Sequence, residues 1–255
     1  HKAAQWTSAL AVSKCTVLPL SLTGRRICDD YFLNNSRIPI CDTAVRDLGV
    51  YISNDLKPTF HINKITSKAY SRLGLIYKCF KTRDPVFLKT MFNTFVRPLV
   101  EFSTPVWSPY SPGLIKSVEK VQRRYTKKIP TLKFLNYPER LQLLQMESLE
   151  VRRIRYDLIE LFKIVKGYSV LKFEDYFEYK QFISVRRPNS LQIFQNVVDS
   201  SLARNFFKYR SAKVWNSLPE EIVQAQSIAS FKQRLKNFDF SEFLTCYPDS
   251  YFWHL

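Results

Sequence analysis

The stretch Ile62-Asn63-Lys64-Ile65-Thr66-Ser67-Lys68-Ala69-Tyr70-Ser71-Arg72-Leu73-Gly74-Leu75-Ile76-Tyr77-Lys78-Cys79-Phe80 decides how this chain is read. Ile62, Ile65, Ala69, Leu73, Ile76 and Phe80 recur at spacings of three and four. That is the period of an amphipathic helix, so they form one apolar stripe on a helix of about 20 residues. Lys64, Lys68 and Arg72 recur at intervals of four and make a positive row along one face of the same helix. No acid interrupts it.

Downstream, Pro85–Val96 reads as a second helix, with Pro85 at its start, Leu88, Met91, Phe92, Phe95 and Val96 inward, and Pro98 closing it. Leu114–Ile129 reads as a third, with Ile115, Val118, Val121, Gln122, Tyr125 and Ile129 on the core side and Pro130 as the stop. Three apolar stripes need one another, so a compact helical bundle across 58–130 is the expected packing. Lys116, Lys120, Arg123, Arg124, Lys127 and Lys128 lie away from the third stripe, and Glu119 is the one acid of that helix. Ordinary solvated faces mix signs, whereas single-sign rows on two packed helices create a steering field.

The whole-chain charge has the same focus. Of 39 Lys and Arg and 22 Asp and Glu, residues 56–135 hold 16 of the bases and 3 of the acids, while both flanks are near balance. A focused positive field is the footprint of a polyanion partner, with nucleic acid the leading class. A content of 45% hydrophobic and 15% aromatic residues is enough for one large core or two modest ones. Cys15, Cys28, Cys41, Cys79 and Cys246 are odd in number and form no C-x-x-C pair, which reads as reduced thiols in the nucleus or cytoplasm. No signal peptide is read at the start, because Lys14 interrupts the apolar stretch Ala9–Leu22. No apolar run is long enough for a membrane span, and the opening His1 reads as a piece of a longer protein.

Upstream of the first helix, Cys15–Leu20, Ile27–Leu33, Ile38–Cys41 and Val45–Ile52 read as small strands, and Ala3–Val12 as a short lead-in helix. Asn34-Asn35 suits the left-handed backbone of a hairpin turn. Beyond the bundle, Asn136 and Glu139 have the capping-box spacing, with Leu141, Leu144 and Met146 on the buried side. Ser148 caps a longer helix with Val151, Ile154, Leu158, Leu161 and Val165 inward and Gly167 at its stop. Arg152, Arg153 and Arg155 read as intrahelical partners of the neighbouring acids. Ser190–Val198 alternates weakly like a strand, and Ala203–Trp215 and Ile228–Phe238 read as helices, the latter capped by Ser227. The expected class is therefore mainly α with a small N-terminal β part (α+β): short strands in 1–55, a basic helical bundle in 56–135 and a mixed α/β C-terminal domain in 136–255.

Four blocks carry a resemblance. Val45-Arg46-Asp47-Leu48-Gly49-Val50 with Phe60-His61-Ile62 and Lys68-Ala69 looks like the end of the palm and start of the thumb in non-LTR (LINE-type, jockey-like) retrotransposon reverse transcriptases. Val96-Arg97-Pro98-Leu99-Val100-Glu101-Phe102-Ser103-Thr104-Pro105-Val106-Trp107-Ser108-Pro109 resembles that family's Val-Arg-Pro-x-Leu-Glu-Tyr block. Val121-Gln122-Arg123-Arg124-Tyr125-Thr126 is similar to its Gln-Arg-Arg-Phe-Thr helix, and Trp215-Asn216-Ser217-Leu218-Pro219 to its Trp-Asn-x-Leu-Pro close. The resemblance implies an RNA-directed DNA polymerase, a nucleotidyltransferase of a transposable element. The chain would be its palm remnant (1–55), its thumb (56–135), which grips an RNA template and DNA primer or target duplex, and a C-terminal domain. The parent would use magnesium and would include upstream polymerase and possibly endonuclease domains; this fragment itself would hold no cofactor.

Such polymerases hold two magnesium ions with aspartates from two palm motifs. Ile27-Cys28-Asp29-Asp30 has the shape of the second, but only 28 residues precede Asp29, and Arg25-Arg26 and Tyr31 do not make a buried hairpin. Trp6 and Ser13-Lys14-Cys15 resemble the segment that follows that motif, which makes Asp29 and Asp30 surface turn residues and places the catalytic aspartates upstream of His1. The matching lysine of the family lies near the incoming triphosphate as a general acid, a role the resemblance implies for Lys14. Ala11 stands where the family has Asn, and a lysine at a strand edge is the plainer reading. A stand-alone basic nucleic-acid-binding module, and a small metal-dependent nuclease using Asp29, Asp30 and Asp47, are the alternatives. Incubated with primer, template, nucleotides and magnesium, this chain alone should give no primer extension; metal-dependent extension above background would show the assignment of Asp29 and Asp30 to be wrong.

Overall fold

The structure, a computed structural model, describes residues 11–21, 29–181 and 189–245. The expected lead-in helix, except for its last two residues, lies outside the described residues, as do Trp6, Arg25-Arg26, Cys28, Cys246 and the start of Ile27–Leu33. The fold is mainly α with a small β part near the N-terminus. The chain divides into two compact units, His1–Asn63 and Lys64–Leu255.

In the first unit, β1 (Phe32–Leu33) and β2 (Ser36–Arg37) pair antiparallel. Their turn is Asn34-Asn35, with φ of 50° and 60°, the two successive left-handed residues a tight hairpin requires. The segment 45–52, read from sequence as one strand, is a second hairpin. β3 (Ala44–Asp47) pairs with β4 (Val50–Ser53) in the register Ala44↔Ser53 to Asp47↔Val50. Leu48 and Gly49, at φ 44° and 96°, reverse the chain between them. Cys15–Leu20 contributes only a parallel bridge, Val17 to Ile40. The Ser53 hydroxyl donates to the Lys57 carbonyl at 2.7 Å, closing the turn into α1 (Thr59–Cys79), and His61 Nδ1 accepts from Tyr51 N–H at 3.1 Å.

Ile65, Ala69, Leu73 and Ile76 of α1 are buried as their spacing predicts, while Phe80 lies past the helix end and is exposed. Asp84 caps α2 (Pro85–Met91) by accepting from Phe87 N–H at 2.6 Å. The chain does not stop at Pro98. A π turn at Phe92–Val96 leads directly into α3 (Arg97–Glu101), with Arg97 N–H reaching five residues back to the Phe92 carbonyl. Proline lacks the N–H that an α-helix would use there, and the widened turn carries the backbone past it.

After α4 (Thr104–Trp107) comes α5 (Pro112–Lys127), which Ser111 caps, so it starts earlier than the apolar stripe indicates. Asn136 and Glu139 make both bonds of the capping box of α6 (Tyr137–Leu143). Ser148 caps α7 (Leu149–Val165), which gives way to Gly167 at φ 71°. The remaining helices are α8 (Phe173–Tyr176), α9 (Ser201–Arg204), α10 (Phe207–Trp215), α11 (Glu220–Val223) and α12 (Ile228–Leu235). The expected helix over 203–215 breaks where Phe206 is extended and Arg210 Nη1 donates to the Asn205 carbonyl at 2.9 Å. α7 packs against α4, α5, α10 and α12. Phe162 of α7 stacks on Phe231 of α12 with centroids 4.2 Å apart, beside buried Leu158, Leu161 and Trp215.

The joint between the basic helix and the C-terminal helices is polar. Glu119, on the inner side of α5 and only 1% exposed, accepts from the Tyr137 hydroxyl at 2.5 Å and from the Leu149 and Glu150 N–H groups at 3.2 Å. Those two amides belong to the first turn of α7, where a helix has no partners of its own for its donors and carries partial positive charge. Burial pushes the Glu119 carboxyl pKa up, against the opposing pulls of Arg153 and Tyr137. Gln122 Nε2 donates to Tyr137 Oη at 3.0 Å and to the Glu147 carbonyl at 2.8 Å. Thr126 accepts from Arg140 Nε at 3.2 Å. Glu119→Ala leaves buried donors facing a void and should cost about 3 kcal/mol, read as a lower urea midpoint, with Glu119→Gln losing less because it keeps an acceptor oxygen.

Candidate nucleic-acid interface

Tyrosine hydroxyls fix the basic helices to one another. Tyr77 of α1 donates to the Tyr125 carbonyl of α5 at 2.9 Å, and Tyr125, buried as its phase predicts, donates to the Leu88 carbonyl of α2 at 2.7 Å. Lys64, Lys68 and Arg72 on α1 are exposed, as are Lys116, Lys120, Arg123, Arg124 and Lys127 on α5 and Lys128 just after it. Among the described residues, Lys68, Arg72, Lys116, Lys120, Arg124, Lys127 and Lys128 make no ion pair. Three of the cations lie against rings. Arg124 is 5.5 Å from the Tyr70 centroid, Lys128 is 4.9 Å from that of Tyr77, and Arg123 is 5.0 Å from that of Tyr137.

The three acids of 56–135 all bond within the chain, Glu101 and Glu119 in its interior and Asp84 at an exposed helix cap. Asp84 caps α2, Glu119 anchors α7, and Glu101, whose side chain is 8% exposed, joins Arg97 at 3.7 Å and both Arg152 and the Tyr156 hydroxyl. Neither Glu101 nor Glu119 is left on the surface beside the two basic rows. Sequence reasoning located the rows but did not show where these carboxylates go, because only the fold reveals that Glu119 points inward.

Arg152, Arg153 and Arg155 are indeed engaged with acids, Arg153 with Asp157 of its own helix as well as with acids outside it. Arg152 Nη2 donates to Glu101 of α3 at 3.0 Å, and Arg155 pairs with Glu147 ahead of α7. Buried Arg153 stands by Glu119 and Asp157, and Asp157 in turn takes two bonds from Arg210 of α10, at 2.7 and 3.0 Å. Burial raises the Asp157 pKa while Arg210 opposes the shift.

The block 215–219 works as a clamp. Asn216 Oδ1 accepts from Ile193 N–H and its Nδ2 donates to the Ile193 carbonyl, both at 2.8 Å, while Trp215 Nε1 donates to the Leu191 carbonyl at 2.8 Å. Asn189 Nδ2 donates back to the Trp215 and Leu218 carbonyls at 3.1 and 2.7 Å. This corrects the strand expected over 190–198: side chains take the backbone groups of Leu191 and Ile193, and pairing with 178–180 stops at one bridge, Tyr179 to Ile193.

Lys14 is exposed at the end of a 3-10 turn, Val12–Lys14, in the first unit, whereas the basic rows belong to the second. Asp29 and Asp30 are exposed, and Asp30 pairs with Arg37 of β2. Among the described residues no three His, Cys, Asp or Glu side chains gather as a metal donor set, and Asp29, Asp30 and Asp47 are not brought together as one. A cavity of about 750 Å³ lies in the second unit, bounded by Tyr110, Ile115, Arg153, Asp157, Tyr209 and Arg210, and includes none of the basic-row residues.

No protein-family model matches the chain, and no solved structure matches it. Over 126 residues it is 24% identical to an uncharacterized protein of Caenorhabditis elegans, a span that takes in 48% of this chain and 64% of that protein. Asn216→Ala should cost about 2 kcal/mol of stability, two backbone bonds at Ile193 being lost, and should leave nucleic-acid affinity unchanged; thermal melting and a binding titration on the folded variant check both halves.

Proposed function

We propose that the α1–α5 face binds the sugar-phosphate backbone of nucleic acid, as the thumb of an RNA-directed DNA polymerase of the non-LTR retrotransposon kind. The observation that carries the binding is the sorting of charge. All three acids of the region are spent on caps and buried ties, and two single-sign rows are left outside on helices that tyrosine hydrogen bonds hold together. A surface of this sort attracts phosphate without reading bases, because phosphate contacts position a protein but carry no sequence information. A polymerase needs that property, since it slides along any sequence it copies. The polymerase context rests on the resemblance of the four blocks. The partners it implies are an RNA template and a DNA primer or target duplex, with the magnesium site in an upstream part of the parent enzyme.

The side chains of this chain would supply grip and register, and no bond-making step is assigned to them. Each lysine or arginine that meets a phosphate displaces condensed counterion, so affinity falls with salt by about 0.9 in the log–log slope for each contact on a duplex. Changing Lys64, Lys68 and Arg72 together to Glu should flatten that slope by at least roughly two units and weaken all sequences alike. The matched control changes Lys208, Lys232 and Lys236, exposed bases outside the face, and should leave the slope near the parent value. Equal losses from the two triple variants would mean that the α1–α5 face is not where nucleic acid sits.

A further inference from the structure

We propose that Tyr70, with Tyr77 beside it, is a positioning residue of the basic face: the α1 rings hold Arg124 and Lys128 of the α5 edge in place before a phosphate arrives. The proposal rests on the nucleic-acid reading above. Tyr70 and Tyr77 stand seven residues apart on α1 and so share a face, and Arg124 and Lys128 stand four apart. Arg124 lies 5.5 Å from the first ring and Lys128 4.9 Å from the second, within the range at which a ring quadrupole attracts a cation.

The Tyr77 platform is fixed from within, and the Tyr70 ring is partly covered. The Tyr77 hydroxyl is tied to the Tyr125 carbonyl at 2.9 Å, and its ring lies 5.3 Å from that of Tyr125, while Tyr70 is half-buried. Arg123 repeats the device at 5.0 Å from Tyr137, whose hydroxyl is held by Glu119. At Tyr77 and Tyr137 the cation rests on a ring whose hydroxyl is tied inside the fold, and at Tyr70 on a ring that is half-buried. A ring attracts through its face and takes up none of the N–H donors of a guanidinium, so Arg124 keeps its full fork for a phosphate. Immobilising a long flexible side chain at an interface normally lowers affinity by about two- to tenfold per residue, a cost that a ring-held cation has largely met before binding.

The test is a titration of a labelled DNA duplex at several salt concentrations, with helicity of each variant checked by circular dichroism. Tyr70→Leu should weaken binding about two- to tenfold at fixed salt with the slope unchanged, because no charge is lost. Tyr70→Phe keeps the ring and should bind like the parent, a rescue that loss of the hydroxyl alone does not spoil. Arg124→Ala should flatten the slope by about 0.9, and adding Tyr70→Leu to it should change nothing further. Tyr70→Met, run alongside, replaces Tyr70→Leu if the latter loses helicity. A Tyr70→Leu variant that binds like the parent while Arg124→Ala weakens binding overturns this proposal alone, as does an equal loss from Tyr70→Leu with and without Arg124. If Arg124→Ala and the α1 triple variant both leave binding and slope untouched, the nucleic-acid reading falls and this proposal with it.

Discussion

One buried carboxylate joins two halves of the larger unit. Glu119 sits on a helix whose outer side carries nothing but positive charge, yet it points inward, to the first two amides of α7 and the hydroxyl of Tyr137. The start of α7 would otherwise bury donors without acceptors, which costs about 1–3 kcal/mol for each group. An anion at a helix N-terminus also meets the favourable end of the macrodipole. The position of α7 against α5 therefore depends on this residue, and α7 in turn supports α4, α10 and α12. Through Arg153 and Asp157 the polar chain continues to Arg210 of α10, so charge pairing runs through the middle of an otherwise apolar core.

The blocks that carry the family resemblance turn out to be framework. In Gln122-Arg123-Arg124-Tyr125-Thr126, the first, fourth and fifth residues are buried and bond to Tyr137, Leu88 and Arg140, and only the two arginines face out. In Arg97-Pro98-Leu99-Val100-Glu101 the proline shapes the π turn and Glu101 gathers Arg97, Arg152 and Tyr156. In Trp215-Asn216 the indole and the amide hold the 191–193 backbone in place of a neighbouring strand. Residue types at these points are set by hydrogen-bond geometry, which explains how a stretch can be distinctive without containing a catalytic group.

Much of the fold was legible because local rules decided it. The α1 stripe, the Asn34-Asn35 turn, the Asn136–Glu139 box and the Ser148 and Ser227 caps all depend on residues a few positions apart, and all are found. The misses were set from farther away. Pro98 was read as a stop, but a five-residue backbone bond carries the helix through. Residues 45–52 read as one strand although Gly49 is a turn signal, because Leu48, at positive φ beside it, is not a residue type that announces a turn. Arg152 and Arg155 both pair with neighbouring Glu147 as read, but Arg152 is also bound to Glu101, which only the fold brings in. The basic rows were legible from spacing alone, whereas the destination of Asp84, Glu101 and Glu119 was not.

That destination is what separates the two faces of α5. A lysine-rich helix with one glutamate could pair them along its own surface, where an exposed i,i+4 pair contributes only about 0.3–0.5 kcal/mol and would blunt the field. Turning Glu119 inward instead gives the carboxylate several buried bonds and removes a negative charge from the surface in the same move. The same holds for Glu101, which steadies Arg152 inside. Repulsion among the outward cations is then borne by the tyrosine ties between α1, α2 and α5, and the Tyr77 ring that receives Lys128 also ties α1 to α5. Stability and surface charge are thus built from opposite sides of the same helices, and the inner polar contacts are what allow the outer face to be of one sign.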